Sequence, residues 1–88
     1  MKYKRNDQLI AASMKGETVM MDVSNGKYYS LGVTGGRIWE ILEEPQDTDA
    51  IVEKLLQEFN VSREICRRQV GSFLESAAKK GILQVSEE

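Results

Sequence analysis

Histidine is absent from this chain, cysteine occurs once, at Cys66, and no apolar run approaches the ~18 residues that cross a bilayer. Each absence removes a class of function. Without histidine the usual catalytic triads and dyads cannot be built. One thiol forms no internal disulfide and no multi-thiolate metal site, and a thiol on a patterned helix packs unless a neighbouring base activates it. The sequence supplies no such base, so no catalytic residue, metal or cofactor is expected. The start "MKYKRNDQ" is basic but lacks an apolar h-region and a small-residue cleavage site, so it does not read as a secretory signal; the expected place is the cytoplasm, with no membrane partner.

What is present is an ordinary globular composition, 41% apolar and 30% charged, in 88 residues. That length reads as a single domain, residues 1–88, with room for one layer of helices on one small sheet. The net charge of -2 is unevenly spread: residues 1–37 carry six Lys or Arg against three Asp or Glu, and residues 38–88 six against eleven. An acidic balance without aromatic and basic residues interleaved argues against a nucleic-acid partner.

The first third reads as strands and the rest as helices, an α+β pattern. Segment 8–14, "QLIAASM", is a strand candidate ended by Lys15-Gly16. Segment 17–23, "ETVMMDV", alternates, with Val19, Met21 and Val23 on one face and Thr18, Met20 and Asp22 on the other. Asn25-Gly26 tolerates positive φ and predicts a tight hairpin into strand 27–31, giving a three-stranded meander. Beyond "LGV", Thr34 is the expected cap of a helix bearing Ile38, Trp39, Ile41 and Leu42, with Gly32 and Gly35-Gly36 allowing a sharp turn from strand to helix. Asp47 or Thr48 caps a second helix with Ile51, Val52, Leu55, Leu56 and Phe59 at helical spacing. Ser62 caps a third, in which Cys66, Val70, Phe73, Leu74 and Ala77 form a stripe ending at Gly81, before the short extended piece "ILQV".

The glycines of "LGVTGGR" match neither the dinucleotide fingerprint nor the P-loop, and the carboxylates at 40–49 lack calcium-loop spacing. Three helices and a small sheet also outline a DNA-binding winged helix, with Arg63, Arg67 and Arg68 on its third helix; these arginines do not share one face. The apolar arc of helix 62–80 is wider than packing on one surface needs. Phe73 and Ala77 are read at its centre, and Leu74 with Arg67 and Ala78 on one shoulder. Either both shoulders are core, or one borders a slot beside the open edge of strand 27–31, where an extended peptide would add as a strand against Tyr28 and Tyr29.

Two stretches carry a family likeness. "GKYYSLGVTGGRIWEIL" resembles the Gly-x-Tyr-Tyr-x-Leu strand and Gly-x-x-Ile-Trp helix of the PqqD-like leader-peptide recognition domains, in particular the stand-alone recognition proteins of lasso-peptide biosynthesis. "IVEKLLQEFNVSREICRRQVGSFLESAAKKGIL" resembles their second and third helices, so the likeness spans about residues 17–83. Gly32 departs from the polar residue often found there. The resemblance implies a winged-helix-like domain, a three-stranded antiparallel sheet followed by three helices. It implies a non-enzymatic protein that binds the leader of a ribosomally made precursor and presents it to a separate leader peptidase and cyclase. The expected peptide contacts are Lys27, Tyr28, Tyr29, Ser30 and Leu31 on the strand, with Cys66, Arg67, Val70, Leu74 and Ala78 on the helix. A peptide chaperone for a radical SAM enzyme is the alternative within the family, and a DNA-binding regulator the alternative outside it.

Overall fold

The structure, a computed structural model, describes residues 1–24 and 26–86. In chain order it contains β1 (Lys2–Arg5), β2 (Leu9–Met14), β3 (Glu17–Asp22), β4 (Lys27–Leu31), α1 (Gly32–Ile41), α2 (Thr48–Glu58), α3 (Arg63–Lys79) and β5 (Leu83–Ser86). The sheet β2-β3-β4 is the expected antiparallel meander, and three helices follow it in an α+β, winged-helix-like arrangement. Strand β1, not expected from the sequence, pairs antiparallel with β5. Its "KYKR" is too charged to read as a strand, but alternation leaves Lys2 and Lys4 in solvent and turns Tyr3 and Arg5 inward. Tyr3 exchanges backbone hydrogen bonds with Gln46, and Arg5 donates from Nε to the Trp39 carbonyl at 2.8 Å with its guanidinium over the indole ring.

The turns differ from expectation. The two-residue hairpin lies between β2 and β3, where Lys15 and Gly16 both have positive φ (53° and 82°), as a type I′ turn requires. Between β3 and β4 the connection takes residues 23–26, because Asp22 pairs with Lys27. Asn25 lies outside the described residues; Gly26, at φ 69°, donates its N–H to the Asp22 carbonyl.

Within the core, β3 contributes Met20, not the Val19, Met21 and Val23 face: Met20 is wholly buried. Ile38, Trp39, Ile41 and Leu42 of the α1 segment pack with it, together with Ile51, Val52 and Leu55 of α2. Helix α1 begins two residues before the expected cap. Leu31 occupies its N-cap position without a side-chain bond, Gly32 takes φ 71° to make the corner, and Thr34 is already helical. Gly35 and Gly36 serve closeness rather than turning. A Cβ on Gly35 would meet Phe73 at 2.7 Å, and one on Gly36 would meet the Thr18 side chain. The other two caps are as expected, with Asp47 accepting from the Ala50 N–H at 2.8 Å and Ser62 from the Ile65 N–H at 3.2 Å.

Candidate functional site

Strand β4 is the last of its sheet, so one side pairs with β3 and the other side carries backbone N–H and C=O groups with no strand beside them among the described residues. Alternation along β4 turns Tyr29 and Leu31 toward the helices, where both pack against the core, and leaves Tyr28 and Ser30 on the outer face. Beside this edge runs a groove of about 150 Å³, walled by Tyr29, Ser30 and Leu31 on one side and by Phe73, Ser76, Ala77 and Lys80 of the α3 segment on the other, with Ile82 at its end. Of the five expected strand residues, Lys27, Tyr28 and Ser30 are exposed and Tyr29 and Leu31 half-buried.

The helix residues fall differently. Leu74 is 0% and Val70 1% exposed, so they form the centre of the buried stripe, with Cys66 at 4%. Arg67 lies on the side of α3 that faces α2, where its Nη1 sits 2.7 Å from Asp49, and Ala78 shares that shoulder at helical spacing. The shoulder beside β4 is the opposite one, carrying Phe73, Ser76 and Lys80. Phe73 and Leu74 therefore stand opposite to expectation, Leu74 in the core and Phe73 on the groove-side shoulder. The signal that separates them is in α1: Gly35 leaves room for the Phe73 ring.

Gln69 continues the Phe73 shoulder toward the N-terminal end of α3, where a second cleft of about 270 Å³ opens between Thr34, Phe59, Val61, Cys66, Gln69 and Val70, among others. Cys66 and Val70 line this cleft and not the groove beside β4.

Charges brace the helices against one another. Arg37 of α1 makes a two-pronged pair with Glu58 of α2, at 2.7 and 2.6 Å. That bond raises the Arg37 pKa and holds the Glu58 carboxyl below its ordinary 4.5. Arg63 pairs with Glu53 through a single Nη1–Oε1 contact, which lowers the Glu53 pKa. Arg68 lies 3.5 Å from Glu64 on its own helix. All three α3 arginines are thus engaged by carboxylates, which leaves the DNA-recognition reading without a cluster of open cations. Among the described residues no His, Cys, Asp and Glu grouping could hold a metal, and no helix is long and apolar enough to cross a membrane.

Comparison with known proteins bears on this geometry. The sequence profile of the family described as coenzyme PQQ synthesis protein D (PqqD) matches residues 17–83. A solved structure described as TbiB1 in complex with the TbiA(beta) leader peptide is similar at 30% identity and a TM-score of 0.83, covering 97% of this chain and 99% of that one. Another, described as lasso peptide synthetase B1 complexed with the leader peptide, has the same fold at 19% identity and a TM-score of 0.83, covering 97% of this chain and 100% of that one. No curated protein matches the chain.

Proposed function

The chain belongs to the PqqD family, and we propose that it is a single-domain adaptor, residues 1–88, that binds the leader of a ribosomally made precursor peptide as a fourth strand on β4. The observation that carries this reading is the open edge of β4 with a groove running beside it. An extended peptide there gains main-chain hydrogen bonds from the edge and side-chain contacts from the groove, the two components of recognition by strand addition. The similarity to TbiB1, itself in complex with a leader peptide, supports the same reading. The strand contacts are Lys27, Tyr28, Tyr29, Ser30 and Leu31. On α3 they are Phe73, Ser76 and Lys80 in place of Arg67, Leu74 and Ala78, while Cys66 and Val70 come within reach only where a peptide continues into the second cleft.

Holding a leader by its backbone leaves the rest of the precursor free for chemistry done elsewhere. The partners proposed are a separate leader peptidase and a cyclase of lasso-peptide biosynthesis, working in the cytoplasm, with no catalytic step on this chain. Tethering supplies the benefit, since a bound substrate reaches millimolar effective concentration at an enzyme that engages the same adaptor.

The test is titration of a fluorescein-labelled leader from the precursor gene of the same cluster, read with amide hydrogen exchange. Saturable binding with new protection in Lys27–Leu31 and along the Phe73 side of α3 is expected. Protection confined to α2 overturns the reading.

A further inference from the structure

The outer face of the β2-β3-β4 sheet, turned away from the helices, carries apolar side chains where a solvated antiparallel face is ordinarily polar. Register places Ile10 opposite Met21 and Met21 opposite Tyr28, a cross-strand row through all three strands. Ile10 is 53% and Tyr28 70% exposed. The row ends on β4, at the free edge. The neighbouring row on the same face, Ala12, Val19 and Ser30, instead ends in a hydroxyl.

Resting on the leader-strand reading above, we propose that the added strand is read on both of its faces, with an apolar side chain on the outer face opposite Tyr28 completing the Ile10, Met21, Tyr28 row. The next place in that row lies on whatever strand pairs with β4, which fixes the occupant as the guest strand. Successive side chains of a strand point to opposite faces. A leader residue lodged against Phe73 in the groove and one lying over Tyr28 are therefore separated by an odd number of positions. Directly opposed side chains on one face form the unit of cross-strand stabilisation, and aromatic rings gain most from apolar partners there. Ser30 sets no such demand, so the outward leader residue opposite it tolerates polar replacement.

The experiment is a serine scan of the fluorescein-labelled leader against wild type, Tyr28→Thr, Tyr28→Phe and Phe73→Ala, with leader-induced protection of β4 amides measured for each. Thr preserves strand propensity, and equal unfolding midpoints establish that the exposed position is altered without loss of fold. Tyr28→Thr is expected to weaken binding about 3- to 5-fold and Tyr28→Phe, which keeps the ring, to weaken it less. Double-mutant cycles are expected to couple Tyr28 to one leader position and Phe73 to another an odd number of residues away. Unchanged affinity in Tyr28→Thr, with β4 still protected by leader, overturns this inference and leaves the edge reading standing; loss of β4 protection in wild type removes both. A Tyr28→Thr variant whose only change is in self-association assigns the row to a second copy and likewise overturns it.

Discussion

Gly35 of α1 lies so close beneath the ring of Phe73 on α3 that a Cβ built on it would stand 2.7 Å from Phe73 Cε1. This contact sets how near α1 and α3 approach at the groove and holds the ring at its wall. Because φ at Gly35 is not in the left-handed region, the glycine answers to space, not to backbone conformation.

Gly35→Ala is accordingly expected to destabilise the fold by about 1–3 kcal/mol through overpacking, and to shift the Phe73 ring toward the groove. In a Phe73→Ala background the same substitution should cost less, since the ring is gone and Leu31 Cβ, at 3.1 Å, is the close neighbour that remains, while alanine is the better helix former by about 1 kcal/mol. Urea unfolding of the two single variants and the double variant measures the coupling. Additive costs would place the origin of the glycine elsewhere than in this contact.

Leu74 and Phe73 should separate stability from binding. Leu74 is wholly buried, so Leu74→Ala is expected to lose about 2–5 kcal/mol of stability. Phe73 is half-buried at the groove, so Phe73→Ala should chiefly weaken leader affinity. Denaturant midpoints beside anisotropy titrations tell the two apart. Weaker binding in Leu74→Ala with an unchanged midpoint would restore the assignment read from the sequence.

That exchange marks where the sequence stops being legible. Ile38, Trp39, Ile41 and Leu42 announce their burial by helical spacing, and Asp47 and Ser62 announce their caps by residue type, because periodicity and capping are local. The wide arc of α3 has two shoulders that look alike from within the helix. Which one meets β4 depends on how α3 crosses the sheet, and that depends on Gly35 under Phe73 and on the Arg67–Asp49 and Arg63–Glu53 pairs that turn the other shoulder to α2. Strand β1 was hidden for a similar reason. Its charges obscure the alternation, and its partner β5 lies at the other end of the chain. The open edge of β4 was legible from the hairpin and the order of strands, since the last strand of a meander has one side unpaired.

Acid should loosen the bracing of the helices. The Arg37 hydrogen bond holds the folded Glu58 pKa below its ordinary 4.5, and Arg63 does the same for Glu53. A carboxylate whose folded pKa is depressed contributes stability that is fully present above the unfolded value and is lost as pH falls through the folded one. Urea midpoints taken from about pH 7 to about pH 3 should therefore be insensitive to these two groups down to about pH 5 and fall below it. Glu58→Gln should lower the midpoint at neutral pH and flatten the acid limb relative to wild type. Parallel curves for wild type and Glu58→Gln would mean that the pair adds nothing to the fold, the usual result for isolated surface pairs.

The protein alone is expected to leave the precursor intact and yet to raise the rate at which the partner peptidase removes the leader. Cys66 is the one side chain that could argue otherwise. It is the single thiol in a chain without histidine, it lines the second cleft, and it is 4% exposed. Buried in apolar surroundings and without a neighbouring base, a thiol packs as a small hydrophobe. On the proposed adaptor reading, Cys66→Ala should then change peptidase turnover only as far as it changes leader affinity, because an adaptor acts through the concentration of bound substrate and not through a bond it makes or breaks. Measured cleavage that tracks measured affinity across Cys66→Ala and Phe73→Ala fits that account. Cleavage abolished in Cys66→Ala with affinity and unfolding midpoint intact would place the thiol in the chemistry and end the adaptor reading.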